Sequence, residues 1–349
     1  MTRLIAALLL ATGALRVHAA EPWTARAPLS EPRQEVGVAA LGGQVYVIGG
    51  FRSNATIADT VEVYDPNADT WSFAAPLPTP VHHAAVATVG GKLYVIGGFT
   101  DALFLSPVAS VFEYDPLGDS WTPKTPMPTA RGSSAVAVID GKIYAAGGSP
   151  AARESDFAVY DPIADGWTTL TNMPTPRNHL AAGAIAGKFY AAGGRSGGIA
   201  GITAALEEYD PNSMLWSAKA PMPTARGGIA GAVFQDRLYV FGGEGNPAHP
   251  AGVFAQNESY DLNSNTWNSH VPMPTPRHGT GAAVLATRIH IPGGGSVEGF
   301  GVTGVHEVFD PLSPPPVVVP NLPRWGPTVL ACLLLATSLE IIHRRRRTA

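Results

Sequence analysis

The chain has 349 residues, a formal net charge of −4, only 14% charged residues, and abundant Gly (39) and Pro (32). Its single cysteine, Cys332, excludes an intramolecular disulfide. Seven of its 23 basic residues lie outside residues 21–312, which keep 16 bases against 26 acids. That stretch, at about −10, excludes non-specific nucleic-acid binding, which needs clustered Lys and Arg facing phosphates.

Residues 1–20 open on Arg3, run apolar from Leu4 to Leu15, and reach Val17-His18-Ala19. This pattern predicts a signal peptide cut near Ala19 or Ala20.

From residue 21 to 312 a rigid frame repeats six times. Trp23, Trp71, Trp121, Trp167, Trp216 and Trp267 are each followed 27 residues later by the second glycine of a pair: Gly50, Gly98, Gly148, Gly194, Gly243 and Gly294. An aromatic-Asp pair recurs at Tyr64, Tyr114, Tyr160, Tyr209, Tyr260 and Phe309, and the first five lead to the next Trp six residues after the Asp. Only the Gly-Gly to Asp stretch varies, between 13 and 18 residues. In one unit, Ser134–Ile139, Lys142–Ala146, Phe157–Tyr160 and Trp167–Leu170 read as four short strands, with Asp140-Gly141 as a hairpin turn. Four strands per ~49 residues is the signature of a propeller blade. The last unit has no Trp after Asp310, and Trp23 has no aromatic-Asp pair before it. Residues 23–26 are therefore expected to supply the fourth strand of blade six.

Residues 313–325 form a Pro-rich linker, and residues 326–349 an apolar segment ending in Arg344–Arg347. The run from Gly326 to Ile342 is just long enough to span a thin bilayer, with the arginines cytoplasmic.

The combination of Gly-Gly, Tyr-Asp and Trp at these offsets resembles the Kelch repeat. The resemblance implies an all-β, six-bladed β-propeller, closed here by an N-terminal strand and followed by a C-terminal transmembrane helix. The tail, with Val319-Pro320-Asn321-Leu322 before Trp325-Gly326, is similar to the IPTL-CTERM and PEP-CTERM sorting signals of bacteria. That likeness implies export, transient membrane anchoring, a sorting protease as a partner, and an envelope or cell-surface destination.

Strand parity puts the length-variable loops on the same face as the Pro-rich links between blades, and insertions gathered on one face mark a binding face. The links end at Arg33, Val81, Arg131, Arg177, Arg226 and Arg277. The five arginines are expected to ring the channel mouth and clamp an acidic ligand, or else to pair with loop carboxylates. In some Kelch propellers the matching arginines contact acidic ligands. Two residues on, Glu35, His83 and His179 share one register; they read as rim residues, or as a converging metal or acid-base set. Phe51, Phe99, Phe104 and Phe254 are the aromatic candidates for ligand contact; the repeated Trp and Tyr read as blade core.

These features point to a non-catalytic binding module for a protein or glycan, with no assigned cofactor or metal. Copper chemistry of the galactose oxidase type is excluded, since it needs a Cys–Tyr cross-link. The alternatives are a sialic acid mutarotase-like carbohydrate enzyme, which the six Kelch blades also resemble, and a purely structural surface or matrix protein.

Overall fold

The computed structural model describes residues 22–313. The expected signal peptide, sorting motif and C-terminal helix lie outside the described residues, among which no helix is long and apolar enough to cross a membrane.

Six four-stranded antiparallel sheets follow one another around a central channel. Blade three shows the plan. Its inner strand, Ala135–Ile139, pairs with Lys142–Ala146, then Phe157–Asp161, then Gly166–Thr169, within one residue of the strands read from sequence. Blade six takes its inner three strands from Ala283–Leu285, Arg288–Pro292 and His306–Phe309, and its outer strand from Trp23–Arg26, in register Trp23↔Phe309 to Arg26↔His306. The ring is thus closed by the N-terminal strand, as counting predicts.

The recurring residues hold neighbouring blades together. Each Trp donates its indole N–H to a carbonyl ahead of it in the ring: Trp71 to Ala27, Trp121 to Ala75, Trp167 to Thr125, Trp216 to Thr171, Trp267 to Ala220 and Trp23 to Val271, at 2.8–3.0 Å. Tyr64, Tyr114 and Tyr160 are buried and donate to Asp69, Asp119 and Asp165, whose carboxylates also accept an N–H from the preceding blade.

The glycine pair is required by close approach. Gly97 and Gly98 have φ of 64° and 110°. A Cβ on Gly97 would lie against the Arg131 carbonyl oxygen, and Gly98 donates its N–H to that same oxygen at 3.0 Å. Only glycine combines these angles with that contact. The inner strands are built of small residues, so the blades crowd the axis and leave a channel of about 530 Å³.

Blade six buries two histidines. His290 and His306 face each other at 3.0 Å, and burial, helped by neighbouring positive charge, drops them to about 4 and about 3. Both depressed values lie below the unfolded imidazole range, so their contribution is present above about pH 6.5 and lost as pH falls. We expect stability to fall by up to about 1.4 kcal/mol per pH unit per histidine between pH 6.5 and 4. Urea midpoints at pH 7 and pH 5 check this, and His290→Gln/His306→Gln should flatten the dependence.

Candidate site at the channel mouth

The five arginines do not line the mouth. All are 0–1% exposed, and their guanidinium groups turn back beneath their own blades. Arg33 meets Glu62 at 3.1 Å, Arg177 meets Glu207 at 2.7 Å, and Arg226 and Arg277 meet Glu258 and Glu307 at 2.5 Å each. Arg131 has Ala158 at the matching third-strand position. It bonds the Thr129 hydroxyl at 2.6 Å and lies 3.6 Å from Asp156. Other donors go to strand carbonyls, such as Arg177 to Ala191 and Arg226 to Val240, while the Nε atoms of Arg131, Arg177 and Arg277 are buried without a partner among the described residues. Burial lowers Arg131 to about 10, only partly opposed by Asp156. Blade two replaces the ion pair with two apolar residues, Val81 and Phe112. The expected cationic mouth is therefore corrected: these guanidinium groups are buried and hold each link to its blade.

Two residues past each link terminus, the chain enters the left-handed region in all six blades. Glu35, His83, Ser133, His179, Gly228 and Gly279 have φ between 53° and 65°. Their peptides form a closed circle of hydrogen bonds. Each N–H donates to the carbonyl of the preceding member: His83 to Glu35, Ser133 to His83, His179 to Ser133, Gly228 to His179, Gly279 to Gly228 and Glu35 to Gly279. A non-glycine residue costs about 1–2 kcal/mol in this conformation. Blades five and six use glycine; the first four keep a side chain despite the strain. Outliers of this kind concentrate at functional sites.

The structure brings three of those side chains together. The His83 Nε2 lies 2.9 Å from a Glu35 carboxylate oxygen and 3.0 Å from the His179 Nε2. Ser133 Oγ is 3.5 Å from the same His179 nitrogen. Gly279 leaves the room that the Glu35 carboxylate fills; a Cβ there would collide with it. Burial pushes the Glu35 carboxyl up, but His83 and His278 outweigh it and hold it well below the usual range. Burial, then the Arg195 charge, holds His179 well below the usual imidazole range.

Around these three lie groups that spacing did not single out. Arg195 donates to His179 Nε2 at 2.9 Å and pairs with Glu244 at 2.5 Å. His278 stands 3.4 Å from Glu35 and 3.5 Å from Glu244. Burial would lower His278, but the hydrogen bond and charge of Glu35, then Glu244, raise it. Arg195 and Glu244 each directly follow a glycine pair, and that position bridges to the residue after the link terminus, as in Asn178↔Arg195 and Gly227↔Glu244. These bridges put the variable loops and the links on one face, as parity predicts.

The aromatic candidates divide. Phe51, Phe99 and Phe254 are buried and support the loops, while Phe104 is 42% exposed. Phe51 lies 6.4 Å from Phe104 and 6.2 Å from Phe300, ring to ring, so the tips of loops 97–110 and 293–305 meet around it. Leu103, Leu105 and Val297 at those tips are exposed too.

The KLHDC2/KLHL20/DRC7 Kelch-repeats domain family matches residues 15–194. This chain belongs to that family. Kelch-like protein terF from Aspergillus terreus (strain NIH 2624 / FGSC A1156) is 42% identical over 71 residues, covering 20% of this chain and 16% of that protein. The match thus spans less than a fifth of that curated relative's length. Among solved structures, "Structure of YjhT" superposes with a TM-score of 0.67 at 19% identity, covering 80% of this chain and 95% of the solved one. At that identity the likeness shows the Kelch propeller fold alone. The single Cys332 lies outside the propeller, which fits no galactose oxidase chemistry.

Proposed function

We propose that this Kelch propeller is a non-catalytic binding module, exported and held at the envelope or cell surface, that grips a protein partner through its variable-loop face. The observation behind this reading is the apolar patch at Leu103-Phe104-Leu105 with Val297 and Phe300. Aromatic and aliphatic side chains in one exposed patch, rimmed by polar residues, mark protein interaction sites and supply their anchors. A glycan would draw instead on the polar groups of the mouth. The test is capture from an envelope extract on immobilised protein. Leu103→Ser/Phe104→Ser/Leu105→Ser should lose the captured partner with little change in melting temperature. Leu117→Ser/Ile163→Ser, in the turns on the opposite face, should keep it; equal capture by both variants would remove the patch from consideration. Fractionation of cells expressing the full chain tests export, with a cytosolic pool contradicting it.

A second reading is a carbohydrate enzyme of the sialic acid mutarotase kind, supported by the convergence of Glu35, His83 and His179 as acid-base groups. Burial of the five arginines removes the carboxylate clamp that reading relied on and leaves Arg195. An anomer-exchange measurement by NMR decides it, with no acceleration over buffer counting against the enzyme.

A further inference from the structure

The hydrogen-bond network around the mouth fixes where the protons of its histidines sit. His82 Nε2 faces the Asp101 carbonyl at 2.8 Å, so in the neutral ring that nitrogen carries the proton. Its Nδ1 is then an acceptor, and His83 Nδ1, 2.5 Å away, must be the donor. A neutral His83 ring therefore presents a bare lone pair at Nε2; a second proton there would be donated to Glu35 instead. The second ring follows the same logic. Asn178 donates its amide N–H to the buried Glu154 carboxylate at 2.6 Å, which turns its carbonyl oxygen toward His179 Nδ1 at 2.5 Å. That nitrogen holds the proton, and His179 Nε2 is bare as well.

Three electron-pair donors thus face one another: Glu35 Oε2, His83 Nε2 and His179 Nε2. They lie within 4.8 Å of one another, at 2.9 and 3.0 Å for the two close pairs. With His83 neutral no proton lies between it and Glu35, so either a second proton on His83 or a bound cation joins the two. Buried acceptors left facing each other are unfavourable unless a cation joins them. A zinc ion bound at about 2.0–2.2 Å to each holds such donors about 3.3 Å apart, within a few tenths of an ångström of the two close pairs. Two imidazoles and one carboxylate also make the donor set of an open zinc site with its fourth position left to water or a ligand. Each imidazole is anchored at its far nitrogen, as metal-bound histidines are. His179 borders the channel, so a fourth ligand could enter from there.

We propose that Glu35, His83 and His179 bind one divalent transition metal ion, zinc by donor type, at the mouth of the channel. Arg195 is the built-in competitor: its Nη2 donates to the His179 lone pair at 2.9 Å and must leave that nitrogen, while Nη1 stays on Glu244. This site adjoins the apolar loop patch, with the His83 ring 5.1 Å from that of Phe104, but it uses different residues and survives if that patch binds nothing.

The test is calorimetric titration of the EDTA-stripped, full-length protein with zinc chloride at pH 7.5, with magnesium as a control. One equivalent of zinc is expected to bind and magnesium to give no heat, since nitrogen donors favour the former. Glu35→Gln and His179→Gln should each weaken zinc at least about 100-fold. Arg195→Ala should tighten it by about tenfold, because a positive charge next to the ion is removed. A zinc-dependent, EDTA-reversible rise in melting temperature of the unaltered protein gives a readout that needs no variant. No stoichiometric heat and no such rise would overturn the proposal and leave a proton on His83 as the joining cation. Zinc affinity in Glu35→Gln and His179→Gln equal to that of the unaltered protein would overturn it too.

Discussion

Replacing Arg226 with Ala is expected to destabilise the propeller by about 3–5 kcal/mol, because it leaves the Glu258 carboxylate buried and without its cation. Glu258 is 2% exposed and Arg226 0% exposed, and the pair is 2.5 Å apart. The Thr224 hydroxyl remains on Glu258, yet one neutral donor replaces little of a full charge. Blade two supplies the control. It has Val81 and Phe112 where blade five has Arg226 and Glu258, and it folds in the same ring. The double variant Arg226→Val/Glu258→Phe should therefore recover at least about half of the single-variant loss, as buried ion pairs often tolerate apolar replacement. Thermal melts of the three proteins measure this. A melting temperature unchanged by Arg226→Ala would mean that the arginine has no structural part, and would reopen its role as a ligand clamp.

The second large effect concerns closure. Trp23 is 8% exposed, donates to the Val271 carbonyl at 2.9 Å, and packs its ring 5.0 Å from Phe309 and 5.9 Å from Phe241. Trp23→Ala removes the one aromatic anchor of the N-terminal strand and should cost about 3–5 kcal/mol. The damage should be local to the seam. Amide exchange along His306–Phe309, whose outer partner is the Trp23 strand, should accelerate, while blade three stays protected. Uniform acceleration in all six blades would show that this strand is not the closing element.

The fold was legible because its signals are local and repeated. Trp, the glycine pair and the aromatic-Asp pair each act within one blade or on the next, so their spacing survives in the sequence. The seam at Trp23 followed from counting alone. The arginines were misplaced at the mouth because their partners sit some 30 residues away on the third strand. Glu62, Glu207, Glu258 and Glu307 each precede the blade's Tyr or Phe by two residues, and Phe112 stands there in the blade that lacks the arginine. That pairing, which only blade three breaks with Arg131 and Ala158, is readable in the sequence and points the arginines to the interior. The register of Glu35, His83 and His179 was visible too. Their convergence was not, because it depends on the left-handed turn in each blade and on the radius of the ring. Arg195 and Glu244 hid in the first position of loops whose length varies.

The variable-loop face is proposed as the working face of the propeller. Hydrogen–deuterium exchange of the protein, alone and with its captured partner, tests it most directly. Protection is expected in residues 97–110 and 293–305 and around the mouth. Protection confined to the turns on the opposite face, around Leu117 and Ile163, would contradict it.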